Sequence, residues 1–447
     1  MRETILLKNV KIPFNNEIVE GNILIENGLI KTLSKLEAEA DIVLNGEGLP
    51  AVPGGIDIHA HVYDPQYPEH EDWKTGSQAA LFGCITTLID MPLRTIVDKI
   101  SVLEEKINEA RRRSYVNFGF TGGFILDNNI DTIDQLVHMG IKTFKVFTCS
   151  PFKTSEEFLP QILEKARINN VVIIVHAEDE NLLNYLKKFH REDNILSFHL
   201  SRSSYAEASA ITRIGYIALE TQARIHIAHV SSREGVEAIE FLKKKNCCIT
   251  AETCPHYLYF TREDAVKFGN YLKVTPSLKT NIDRETLWMG LKKGIIDIYA
   301  SDNAPSPREL KEKDVWNAWS GIPCLEIMGP FLYTYGVKRD LINIFDYIRV
   351  FSENPAKLLG LYPYIGSLKP GSIADIVVLD TRNPKRVSAK THHHKVDWTP
   401  WENMVLWGYP WIVLVNGYVV IDKNELIDKP GEKIFINELI AKQNIIY

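Results

Sequence analysis

From about residue 53 to about residue 364 the chain repeats one alternation, a short and almost wholly apolar run followed by a longer amphipathic one. The apolar runs are "CITTLIDM", "YVNFGFTGGF", "IKTFKVFT", "VVIIVHAE", "RIHIAHVSS", "CCITAETC" and "IDIYASDN". They are rich in β-branched and aromatic residues, and the stretches at 98–113, 155–169, 204–222 and 233–244 between them carry helical periodicity. Strands that are apolar on both faces are buried on both, which calls for a parallel sheet covered by helices. About eight such βα units call for a closed TIM-like (β/α)8 barrel.

The two ends read differently. Residues 1–52 hold short strands separated by turns, with Asn27-Gly28 as a hairpin signal, and β character returns at 365–447 in "GSLKPGSIADIVVLD" and "PWIVLVNGYVVID". Both ends are therefore expected to pair into one small β-sandwich beside the barrel, with a C-terminal segment, "KIFINELIAKQNIIY", packed outside as a helix. The run His392-His393-His394 is expected in a polar surface loop, and Trp398, Trp401, Trp407 and Trp411 in packing or a subunit contact.

Of the 447 residues, 45% are hydrophobic and 24% charged, a composition that excludes a disordered chain. The net charge of −6, with no basic stripe, speaks against a nucleic-acid partner. The first residues, "MRETILLKNVKIPFNNEI", contain no apolar run long enough for a signal peptide or a membrane span, so the cytoplasm is the expected compartment. Six cysteines with no CxxC pair are read as reduced and mostly buried.

His59 and His61 stand two apart at the end of "GGIDIHAH". Residues two apart on a strand face the same side, so both imidazoles can reach one metal. Further strands carry an ionisable group near the carboxyl end, where barrel enzymes place their chemistry: Asp90, Lys145, His176, His229 and Asp302. A lysine between Phe144 and Val146 on a buried strand is costly unless paired or chemically changed. Carbon dioxide captured on its amine gives a carbamate that can bridge two cations. Four histidines, this modified lysine and an aspartate suit two borderline divalent ions, most simply Zn2+. Two such ions polarise a carbonyl and turn water into hydroxide, with Asp302 as general base and then acid. His226 is expected to be structural, His256 to brace the site, and Asp90 to end a strand.

The stretches "VPGGIDIHAHVYDP", "GIKTFKVF", "VHAED", "IAHVSSREGVEAI", "AETCPHYL", "ASDNAPS", "AWSGIPCLE", "ENPAKLLGL" and "GSLKPGSIADIVVLD" resemble the amidohydrolase superfamily, in its cyclic amidohydrolase branch of dihydroorotases, allantoinases and hydantoinases or dihydropyrimidinases. The resemblance implies the barrel and sandwich, a binuclear zinc site and a carbamylated Lys145. It assigns His59, His61 and Asp302 to one metal and His176 and His229 to the other, with Lys145 bridging. It also implies a dimer or tetramer. The substrate motifs depart from the pattern. Tyr63 stands where dihydroorotases carry a carboxylate-gripping arginine, Arg94 follows "DMPL", Asn303 follows the aspartate, and Thr275 precedes the "PSLK" loop. Tyr63, Arg94 and Thr275 are the expected substrate contacts, and Arg94 is expected to meet an anionic group. The expected reaction is ring opening of an allantoin- or hydantoin-like cyclic amide. A dihydroorotase is the alternative, and a non-catalytic scaffold the alternative of another class.

Overall fold

The structure, a computed structural model, describes residues 3–36, 38–427 and 433–443. Residues 428–432 and the last four of the C-terminal segment, 444–447, lie outside the described residues.

Four strands open the chain: β1 (Ile5–Phe14), β2 (Glu17–Glu26), β3 (Leu29–Ser34) and β4 (Ile42–Pro53). The turn between β2 and β3 is Asn27-Gly28, at φ 53° and 80°, where asparagine and glycine tolerate the left-handed backbone a tight hairpin needs. Near the other end, β14 (Ile376–Asp380) pairs antiparallel with β4, Val377 opposite Val52. β15 (Tyr409–Val415) and β16 (Tyr418–Asp422) extend the same sheet. Ile5, Leu7, Ile23 and Ile25 from the early strands share one buried cluster with Ile376, Val378, Ile412 and Leu414 from the late ones. The two halves therefore close on each other as a sandwich built from both ends of the chain.

The barrel runs through β5 (Gly55–Ala60), β6 (Ile85–Asp90), β7 (Asn117–Phe120), β8 (Gly122–Gly123), β9 (Thr143–Phe147), β10 (Val172–His176), β11 (Arg224–Ile227), β12 (Ile249–Thr253) and β13 (Ile298–Tyr299). β7 and β8 are the two pieces of one interrupted stave, and adjacent staves pair in parallel. A parallel bridge from Ala60 to Asn303 joins the first stave to the last. β5, β6, β9 and β10 are buried at every position, which is why they read as apolar runs.

The C-terminal segment lies against the barrel. The backbone N–H of Phe118 donates to Ile434 O at 3.1 Å, and Phe435 stacks on Phe118 with ring centroids 5.5 Å apart. Asn117 ties three parts together: its Nδ2 donates to Asp375 Oδ2 at 2.9 Å, while its Oδ1 accepts from Asn416 Nδ2 at 2.6 Å and Ile434 N at 2.9 Å.

The histidine run does not sit in a solvated loop. His394 is buried with Nδ1 2.8 Å from Glu71 Oε2, and His393 lies 4.1 Å from the ring of Phe82 and 3.1 Å from Glu326 Oε2. Far-off acidic partners, invisible in the local sequence, draw it inward. Trp398 and Trp401 are buried and donate from Nε1 to Ser306 O and Pro323 O, so they brace the loops after β13. All six cysteines are free thiols, and Cys248 is the exposed one. Among the described residues no helix is long and apolar enough to cross a membrane.

Candidate active site

At the carboxyl ends of the staves, His59, His61, Lys145, His176, His229 and Asp302 line one cavity of about 950 Å3. His59 lies in β5 and His61 one residue beyond it, Lys145 sits in the middle of β9, and His176 ends β10. His229 and Asp302 follow β11 and β13 with φ of 40° and 47°. A non-glycine residue held there costs on the order of 1–3 kcal/mol, a strain the surrounding fold must sustain to aim both side chains inward.

Nε2 of His59 and Nε2 of His61 each lie 3.5 Å from Oδ1 of Asp302. Nδ1 of His61 is 2.7 Å from Met91 O, a carbonyl that can only accept, so Nδ1 carries the proton and Nε2 presents a lone pair. Nδ1 of His59 donates to Glu252 in the same way. Two lone pairs and a carboxylate oxygen thus face one another, an arrangement that a cation between them reconciles. Two donors bound to one tetrahedral ion at ~2.0–2.1 Å stand about 3.3 Å apart, close to the spacing here. On the other side, Nδ1 of His176 and Nε2 of His229 are 2.9 Å apart, and Nδ1 of His229 is buried without a partner.

Lys145 lies between these groups, close enough to depress the basicity of His59, His176 and His229. Its Nζ is buried with no hydrogen-bond partner, and burial pushes its pKa down to about 8 against the pull of Glu252 and Asp302. Burial also lowers the pKa of His59, His176 and His229, favouring the neutral imidazole that binds metals. An orphaned amine, neutral imidazoles and one carboxylate are a donor set that fits two divalent cations bridged by a carboxylated lysine.

Around this cluster stand residues that sequence reasoning missed. Glu252 holds His59 with one oxygen and Nε2 of His226, at 3.1 Å, with the other. Burial works to raise its pKa, but the two imidazoles outweigh it and hold the carboxyl well below the usual range. Glu178 accepts from Nε2 of His176 at 2.9 Å and pairs with Arg202, with the same outcome. Such carboxylates orient ligand histidines and fix their tautomers. The available signal was a glutamate near the carboxyl end of an otherwise uncharged stave and another two residues beyond His176.

His226, bound to Thr250 Oγ1 and Glu252, faces away from the cavity. His256 is fully buried under the site with Nδ1 3.9 Å from Cys324 Sγ. Asp90 accepts from Val62 N at 2.8 Å and Lys106 Nζ at 2.9 Å, which braces the backbone just after His61. Arg94 and Thr275 line the cavity. Tyr63 stands behind the lining, its ring 6.1 Å from that of His61 and its hydroxyl buried without a partner.

A barrel whose mouth gathers histidines, a lysine and an aspartate in this order is the arrangement of the amidohydrolase family, whose model matches residues 51–417, and the chain belongs to that family. Its relatives place it in the cyclic amidohydrolase branch. A dihydroorotase of Methanosarcina acetivorans is 32% identical over 446 residues, covering 96% of this chain and 94% of that protein. An L-hydantoinase of Paenarthrobacter aurescens is 30% identical, covering 97% of each. The solved L-hydantoinase (dihydropyrimidinase) from Arthrobacter aurescens superposes with a TM-score of 0.91 at 30% identity, over 96% of this chain and 99% of that one.

Proposed function

We propose that this chain is a hydrolase that opens a five- or six-membered cyclic amide or ureide at one C–N bond, on a hydantoin- or allantoin-like substrate. The observation that carries the reading is the convergence of His59, His61, Lys145, His176, His229 and Asp302 on one cavity at the carboxyl end of the barrel. In this reading His59, His61 and Asp302 hold one divalent cation, most simply Zn2+, and His176 and His229 hold the other. The Lys145 amine adds to carbon dioxide, releases a proton and becomes the bridging carbamate. When bound, the ions supply Lewis-acid polarisation of an amide carbonyl and acidify water.

The remaining work falls to side chains. Glu252 and Glu178 keep His59 and His176 in the ligand tautomer. A carboxylate oxygen of Asp302 takes one proton of the attacking water and returns it to the ring nitrogen as the C–N bond breaks, leaving an open chain whose new carboxylic acid gives its remaining proton to solvent. The dihydroorotase named among its relatives supports a second reading, ring closure and opening of dihydroorotate. The reading places the protein in a reducing cytoplasm, in keeping with its free thiols, and as a dimer or tetramer on the strength of resemblance alone.

The test is a parallel assay of metal-loaded, bicarbonate-treated protein on allantoin, hydantoin, dihydrouracil and dihydroorotate. One ring is expected to open well above the rest, with about two metal ions bound per chain. No opening and no bound metal would return the chain to a scaffold role.

A further inference from the structure

The charges around the cavity do not balance. Arg94, Lys145, Lys187, Arg202, Lys273 and Lys313 line it, against the carboxylates of Glu180 and Asp302. Several of these cations are committed: Lys145 lies in the central cluster, Arg202 pairs with Glu178, and Lys273 donates to the carbonyls of Trp316 and Ala318. Glu180 is itself tied to Lys153.

Arg94 is held differently. Its Cζ lies 3.8 Å above the centre of the Tyr67 ring, and Nη1 is 2.8 Å from Nε2 of His70. Nδ1 of His70 is 2.9 Å from Pro305 O, which only accepts, so Nε2 of His70 is the lone-pair side and receives from Arg94. A neutral ring and an aromatic face fix the guanidinium, no carboxylate among the described residues pairs with it, and its remaining N–H groups stay free at the cavity rim. A guanidinium fixed in that way suits bidentate capture of a planar anion.

We propose that Arg94 receives a carboxylate carried on a side arm of the ring substrate, so that the enzyme favours acid-bearing cyclic ureides over their neutral counterparts. The inference rests on the hydrolase reading above. The arm is needed because two rings intervene between the central cluster and Arg94. Tyr63 has its centroid 6.1 Å from that of His61, and His70 has its centroid 4.7 Å from that of Tyr63. Trp319, with its centroid 6.2 Å from Tyr63 and 4.7 Å from His70, gives the arm an apolar wall.

The test compares a hydantoin bearing a 2-carboxyethyl group at C5 with the matching 2-carbamoylethyl compound, nearly equal in shape but uncharged. The wild type is expected to show a KM for the acid about tenfold or more below that for the amide, the size of a lost charge-assisted hydrogen bond. Arg94→Gln is expected to erase this ratio and Arg94→Lys to keep part of it. Equal KM values for the pair in the wild type, or a preference that survives Arg94→Gln, overturn the proposal while the hydrolase reading stands. If neither ring is opened, the hydrolase reading is judged by the four-ring assay above, and calorimetric binding of the same pair decides the anion site. An acid preference lost in Arg94→Gln upholds the anion site, and equal binding removes it.

Discussion

Glu252, on β12, spans two histidines of different duty, accepting from Nδ1 of His59 with one oxygen and standing 3.1 Å from Nε2 of His226 with the other. One buried carboxylate thereby sets the tautomer of a cavity-lining imidazole through an anchor that never reaches the cavity. Glu252→Gln keeps the shape but removes the charge and one acceptor. Its metal affinity on the His59 side is expected to fall about 10–100-fold, read as metal retained against a competing chelator. Unchanged retention would show that His59 does not depend on its carboxylate.

Lys145 gives a second prediction. Its amine is buried and unpartnered, so the unmodified side chain is a poor occupant of its own position. Protein stripped of metal and reloaded without carbon dioxide is expected to regain little activity and fewer than two ions, and bicarbonate is expected to restore both. Lys145→Gln is expected to ignore bicarbonate altogether. Equal recovery with and without carbon dioxide would contradict the carbamate.

The pair Lys106–Asp90, 2.9 Å apart with side chains 3% and 2% exposed, is the brace behind His61. Lys106→Met leaves the Asp90 charge buried alone and releases Val62 O and Asp64 O from their donor. Breaking a buried pair at one end typically costs about 3–5 kcal/mol, whereas removing both charges costs much less. Lys106→Met should therefore melt well below the wild type, and Lys106→Met with Asp90→Asn should recover part of the loss. A double variant no more stable than the single one would mean that the pair is not the unit that matters.

His199 predicts a pH dependence. It is 2% exposed, both ring nitrogens lack partners, and burial, helped by the charges of Lys279, Arg262, Arg202 and Lys273, pushes its pKa from 6.5 down to about 3. The folded-state pKa is depressed, so the unfolded chain binds a proton that the folded ring refuses. Stability owed to the neutral ring is complete above the unfolded value of 6.5 and drains away as the pH falls towards about 3. The slope is ~1.4 kcal/mol per pH unit. His199→Leu has nothing to protonate. Relative to the wild type it should gain in melting temperature as the buffer moves from roughly pH 7 to roughly pH 5, with groups common to both cancelling. A constant difference across that range would place the ring in contact with solvent.

The barrel was legible because its staves are buried on both faces, so "VVIIVHAE" and "IKTFKVFT" announce themselves without help from neighbours. The cavity-facing histidines were legible for a related reason, since a strand's two-residue repeat puts His59 and His61 on one side. What the sequence concealed depends on contacts made far along the chain. Glu252 meets His59 across 193 positions, and His394 meets Glu71 across 323, so the inward path of the histidine run had no local signature. Arg94 was visible as an oddity after "DMPL", but its seat on Tyr67 and His70 comes from a loop that only the fold brings over it.

The pairing of β4 with β14 and the lock of Asn117 onto Asp375 and Ile434 have a bearing on biogenesis. While the chain is being translated, the four opening strands leave the ribosome with one edge bare, because their mates are encoded beyond the entire barrel. That edge stays open to other nascent chains until the closing strands emerge. Final closure of the sandwich thus waits until the whole barrel has been synthesised, and holding the early hairpins out of trouble in the interval is a task suited to a chaperone.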